Sequence, residues 1–211
     1  MGLSNREGGK YITILGGKFS VRTNKENPEA IERVNKVGNT VYEVFYDSFT
    51  GKIVNIRTRD GEYGKSWEFD FQDGGEIYTL QLSYSNSYAT NILKMLPNID
   101  LSKEMKVQPS QKMEDGKIKS SLFISQDGVT LKHAYTMAEP NGLPPMVQIV
   151  VKGQTVWDDT ERLAFLQEMV DRDIIPQLEG ATKSKADETP KTGLEGEFDN
   201  DNPLGGEDND F

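Results

Sequence analysis

Between Lys10 and Met137 apolar and polar residues alternate in short runs, the period-two signature of strands with one buried face. The runs predict strands over 10–15, 18–23, 41–47, 52–59, 65–72, 76–84, 104–108, 117–126, 129–137 and 146–152. Asp-Gly pairs at 60–61, 73–74, 115–116 and 127–128 punctuate them. Glycine, lacking a Cβ, supplies the positive φ that tight hairpins demand. Hairpin-linked strands at this density predict an all-β body, an antiparallel barrel or sandwich.

Three short helices interrupt the pattern. Asn27-Pro28 reads as an N-cap and first helical position, opening a helix through Lys36. Ser87 is placed to cap a second helix over 88–96, stopped by Pro97. Asp158 or Asp159 caps the third, which carries Leu163, Leu166, Val170 and Ile174 on one face and is expected to end at Pro176. Beyond Leu178 apolar residues become isolated among Gly, Lys, Thr, Asp and Glu. Such a segment cannot offset its ordering entropy by burial, so disorder is expected over 179–211. The organisation is thus a body, 1–178, and a tail, 179–211.

Charge sharpens this division. The chain has 211 residues and a net charge of −10, but the last 20 residues hold seven acids and no Lys or Arg, leaving −3 on the rest. With no cysteine and one histidine, disulfides and Cys-based zinc sites are excluded, and no metal or other cofactor is expected. The N-terminus lacks an apolar leader and no run approaches the ~18 apolar residues of a membrane span. A soluble, cytoplasmic protein with no membrane partner is expected.

The tail closes Gly205-Gly206-Glu207-Asp208-Asn209-Asp210-Phe211. An aromatic ring costs solubility in a segment otherwise built for water. Phe211 among Glu207, Asp208 and Asp210 forms an apolar anchor ringed by anions, suited to a small pocket rimmed with Lys and Arg. This ending resembles the acidic C-termini of bacterial and bacteriophage replicative single-stranded DNA-binding proteins. The phage form is the nearer likeness, because the bacterial one places Ile-Pro before the Phe where this chain has Asn209-Asp210. The resemblance implies a body of the OB type and a non-enzymatic role in DNA replication or recombination. It also implies a tail that recruits a polymerase, helicase or primase and competes with DNA for the binding groove. If phage-encoded, the protein would work in the bacterial host cytoplasm.

Single strands are gripped by rings stacked on bases and cations on phosphates. Within 117–126, Ile118, Leu122 and Ile124 share the face assigned to the core, and Lys117, Lys119 and Phe123 share the other. Arg57 and Arg59 share a face of 52–59 with Asn55, opposite Lys52, Val54 and Ile56. Lys65 and Trp67 share a face with Phe69 and Phe71, which read as core; Trp67, nearest the turn, is either core or a stacking ring. The candidate DNA-binding set is therefore Arg57, Arg59, Lys65, Trp67, Lys117, Lys119 and Phe123, with Glu207, Asp208, Asp210 and Phe211 for protein partners.

Several features carry no chemistry. The run 61–66 resembles a phosphate-binding loop but spaces its glycines too closely and enters a strand. His133 alternates with Leu131 and Tyr135 and reads as buried or half-buried, with no nucleophile motif beside it. Glu68 and Asp70 could be paired acids of an enzyme, but lie on an outer strand face where charge is ordinary. The expectation is an OB-like antiparallel barrel with additional hairpins and two or three short helices, binding single-stranded DNA with little sequence preference. The alternative is a β-sandwich structural or carbohydrate-binding module with an incidental tail. Self-association is left open.

Overall fold

A computed structural model describes residues 10–35, 37–62 and 64–186, with side chains through Gly180. Strand predominates, as expected of an all-β chain. Ten strands form one sheet: β1 (Lys10–Leu15), β2 (Lys18–Thr23), β3 (Ile31–Val34), β4 (Thr40–Tyr46), β5 (Phe49–Gly61), β6 (Gly64–Asp73), β7 (Glu76–Ser83), β8 (Met105–Glu114), β9 (Lys117–Gln126) and β10 (Val129–Thr130). Their order is β10-β9-β8-β5-β6-β7-β1-β2-β4-β3. A separate hairpin joins β11 (Val147–Val151) to β12 (Gln154–Asp158). Ladders are antiparallel except where β1 lies parallel to β7. Among the described residues no ladder closes this sheet into a barrel; it is open, with β10 and β3 at its edges.

The core gathers on one face of the central strands. Trp67, Phe69 and Phe71 of β6 are buried with Ile53 and Ile56 of β5 and Leu80 and Leu82 of β7. Three helices cover this face: α1 (Ser87–Met95), α2 (Thr160–Met169) and α3 (Ile175–Ala186). Asn86, rather than Ser87, caps α1, its side chain accepting the Tyr88 N–H at 2.8 Å. At the start of α2 the Asp158 carboxylate accepts from the Thr160 N–H at 3.0 Å. Leu163, Leu166, Val170 and Ile174 are all buried, as their spacing predicts.

Four departures from the expected elements have physical causes. Asn27-Pro28 opens a turn, not a helix. The Asn27 side chain accepts the Glu29 N–H at 2.9 Å, a single turn closes at Ala30, and the chain then pairs with β4 as strand β3. The strand expected over 129–137 stops at Thr130, because the Ala134 N–H donates to Lys94 of α1 instead of to a sheet neighbour. Pro176 does not end the last helix. A π-helical turn over Val170–Ile174 precedes it, and the Ile175 N–H bonds back to Val170, so the ring is accommodated in a widened turn. Helix therefore continues through Ala186, and the expected disorder from residue 179 is corrected over 179–186. Residues 187–211, including Glu207, Asp208, Asp210 and Phe211, lie outside the described residues.

A bulge between Ile53 and Asn55 also shifts the alternation of β5. Ile53 and Ile56 both face the core, and Lys52 therefore shares the outer face with Asn55, Arg57 and Arg59, not the opposite one. The sheet also curls, so that the β1–β2 turn presses on β8, with which neither strand pairs. Gly17 has φ +79°, and a Cβ there would sit 2.6 Å from the Gln111 backbone nitrogen. Gly17→Ala should therefore destabilise the fold by more than ~1 kcal/mol, through both the strained φ and the clash. The chemical-denaturation midpoint checks this, and Gly116→Ala, which meets no neighbour, separates the strain from the contact.

Candidate nucleic-acid interface

The outer face of β8 and β9 brings cations without ion pairs together with an exposed ring. Across these strands Lys106 faces Ser125, Gln108 faces Phe123, Ser110 faces Ser121, Lys112 faces Lys119 and Glu114 faces Lys117. Thr50, opposite Lys106, extends the face into β5, where Lys52 follows on the same side. Phe123 is 50% exposed at its centre, a large apolar ring left in water among small polar neighbours. Leu122 and Ile124 on either side of it are buried, as alternation requires. Lys119 pairs with Glu114 at 2.7 Å. Among the described residues Lys52, Lys106, Lys112 and Lys117 make no ion pair, so their charge is available to a ligand.

Ile118 departs from its expected core position and is exposed, paired with Met113. The distal half of the β8–β9 hairpin runs past the core: apart from the β1–β2 turn against Gln111, little packs on it, and residues 111–119 are exposed on both faces. Lys112 lies beyond the strand expected over 104–108, and Lys106 and Gln108, although inside it, have no aromatic residue on their own strand to mark a stacking face. The remaining residues of β8, polar apart from Pro109 and Met113, lack the apolar alternation that marks a half-buried strand.

The other candidates divide differently. Trp67 is 1% exposed and stacks between Tyr84, with ring centroids 5.6 Å apart, and Phe69, at 6.1 Å. The stacking role is thereby corrected to a core role: Tyr84, whose hydroxyl donates to Leu163 and Gln167 of α2, lies over the ring, while residues 60–62 and 64 of the hairpin turn itself are exposed. Lys65 is likewise engaged, over the Tyr84 ring at 4.6 Å and donating to Gln167 of α2 at 2.8 Å.

Arg57 and Arg59 are on the outer face, but they are not free cations. Arg57 bonds Glu68 at 2.6 Å and also Asp70, and Arg59 reaches Glu68 at 3.5 Å. The two acids do lie on the outer face of β6, yet they are 1% and 8% exposed. Asn55 and Thr79 donate to Asp70 at 3.0 and 2.7 Å. Burial opposes the Arg57 charge, but its hydrogen bonds to Asp70 and Glu68 prevail and hold its pKa above the ordinary value. Two guanidinium groups lying over two carboxylates make a locally neutral patch beside the lysine face.

A cavity of about 1030 Å³ opens near the other end of the sheet, lined by Tyr11, Tyr46, Phe49, Tyr78, Arg22 and Arg33 among others. Arg33 grips Glu43 through two hydrogen bonds of 2.8 Å, which hold the Glu43 carboxyl below its ordinary pKa despite burial. His133 is half-buried, as expected, although the strand whose register suggested it stops at Thr130; burial and then Lys94 lower its pKa. Among the described residues no group of three His, Cys, Asp or Glu is placed to hold a metal, and no helix is long and apolar enough to cross a membrane.

Comparison with family models finds no match, and searches of curated proteins and of solved structures find none either.

The arginine patch yields a test of its own. Arg57→Ala strips Asp70 of its cation and leaves Glu68 with the longer Arg59 contact. The cost should be on the order of 2–3 kcal/mol of folding stability, below that of a fully buried pair because Arg57 is part exposed. Urea unfolding measures it; an unchanged midpoint would mean that water already compensates the two acids.

Proposed function

We propose that this chain is a non-catalytic single-stranded DNA-binding protein of replication or recombination, with an OB-like body whose sheet has opened. The observation that supports this reading best is Phe123, half exposed in a strand face that holds five lysines and one acid. A flexible strand laid across β8, β9 and the start of β5 would stack a base on this ring and bring its phosphates to Lys52, Lys106, Lys112 and Lys117. Such contacts read charge and π-surface, not base edges, and imply little sequence preference. Duplex DNA, whose bases are already stacked on one another, offers no free face to the ring.

The global charge of the chain gives no attraction to DNA, so affinity must come from this local concentration of cations. The acidic run ending in Phe211 fits the same reading. It carries the charge pattern of a polyanion and an apolar anchor, and on the resemblance already noted it would compete for the lysine face and recruit a polymerase, helicase or primase.

Titration with labelled oligo-dT and with duplex of equal length, at two salt concentrations, tests the class. Single strands should bind well above duplex and weaken as salt rises, since each phosphate contact releases counterions. Phe123→Ala should cost about 1–3 kcal/mol of affinity with stability unchanged, and Lys117→Ala should lower the salt slope by roughly one phosphate contact. Equal affinity for duplex, or no loss in the Phe123 variant, would sink the assignment of this face.

The tail has a separate expected outcome. Deleting residues 192–211 removes seven acids and none of the described elements. If the tail competes for the lysine face, the shortened chain binds oligo-dT more tightly, and the gain shrinks at high salt as the competition is screened. Removing Phe211 alone should leave DNA affinity nearly unchanged and abolish pull-down of the replication partner. Unchanged affinity at low salt together with intact pull-down would reduce the tail to a solubilising extension.

A further inference from the structure

The β11–β12 hairpin stands apart from the ten-stranded sheet, and neither of its edges is paired among the described residues. Its apolar side chains are exposed on both faces. Val147, Ile149, Val151 and Val156 occupy one, while Val150 and Trp157, the latter 61% exposed, occupy the other. A bare two-stranded hairpin is at best marginally stable in water; a third strand or a packed face is needed.

The edges of the large sheet are guarded against pairing. β10 has only two residues, and β3 carries Glu32 and Arg33 in a strand of four. β11, with the sequence Val-Gln-Ile-Val-Val, has no charge, no proline and no bulge.

The backbone phase of β11 then fixes how a partner strand would fit. The two-residue turn Lys152-Gly153 makes Val151–Gln154, Ile149–Val156 and Val147–Asp158 the hydrogen-bonded pairs of the hairpin. The N–H and C=O groups of Gln148 and Val150 therefore point to the open edge. An antiparallel two-fold axis through Ile149 sets Gln148 of one copy against Val150 of the other, each with edge-facing groups, and repeats that match on the far side of the axis. It also places Val147 opposite Val151 and brings the cationic Lys152 tip of each hairpin toward the acidic base at Asp158 and Asp159 of its mate. Opposite charges thus meet and like charges do not.

We propose that β11 pairs with β11 of a second copy, forming a four-stranded sheet β12-β11-β11-β12 across a two-fold axis. One side of it collects Val147, Ile149, Val151 and Val156 from both chains. The interface is self-complementary, as a two-fold contact must be. It does not depend on the nucleic-acid reading.

The absence of native cysteine gives a direct test on the full chain without DNA. Ile149 falls on the axis as a non-hydrogen-bonded pair, with Cα atoms about 4.5 Å apart, inside the range a disulfide spans. Ile149→Cys should form a disulfide-linked dimer under mild oxidation, and Thr155→Cys, on the outer strand, should not. Sedimentation of the unmodified chain should show a monomer–dimer equilibrium. Val150→Pro should abolish it, because that N–H faces the mate and not β12. A monomer at every concentration, or a Val150→Pro chain that still associates, overturns the proposal. So does a Val150→Pro chain that loses oligo-dT affinity with no change in mass, which would give the hairpin to nucleic acid instead.

Discussion

Burial of one face of β6 is the constraint on which the rest depends. Trp67, Phe69 and Phe71 each need two layers of neighbours. The flanking strands β5 and β7 give Ile53, Ile56, Leu80 and Leu82, and α1 gives Ile92 and Leu93. Fully burying side chains of this size contributes about 1.5–3 kcal/mol apiece, a scale no surface ion pair approaches. Once that face is committed inward, the opposite face of β6 must carry Glu68 and Asp70, and its neighbour β5 must answer them with arginine. Polar chemistry on the outside of the sheet is thus dictated by hydrophobic chemistry on the inside.

The outer surface separates into two electrostatic regimes for the same reason. Over β5 and β6 cations and carboxylates balance in place, with Thr79 and Asn55 completing the acceptors of Asp70. Over β8 and β9, among the described residues, no buried carboxylate stands opposite and Lys52, Lys106, Lys112 and Lys117 make no ion pair, Lys52 acting on Asp100 only at longer range. A sheet that is neutral at its centre and cationic toward one edge directs a polyanion to that edge. The proposed DNA path follows from this asymmetry, not from the total charge, which is negative.

Much of the body is legible in the sequence. Three strands, β1, β2 and β9, fall at their expected bounds, and the inward and outward alternation around Phe123 is read directly from Leu122 and Ile124. What escapes is whatever depends on a distant partner. Arg57 looks like a DNA-facing cation until Glu68 and Asp70 are seen across the ladder, and local alternation cannot say that the bulge at Val54 moves Lys52 to their side. Trp67 is ambiguous because its exposure is decided by α2, nearly a hundred residues away. The Asn27-Pro28 signal is real but is satisfied by one turn, and Asn35 and Gly38 then turn β3 back toward β4.

The π-helical turn at Val170–Ile174 has one more implication. It holds one residue beyond what a regular α-helix would use there, so it acts as a phase adjuster between α2 and α3. Each residue advances an α-helix by about 100°. Wound as a regular α-helix, the same residues would instead carry Leu178, now buried, about 100° away from the core. The turn thereby absorbs the extra length of this segment: a side chain there is judged by its own packing, but the winding of the backbone is judged by where it leaves Leu178.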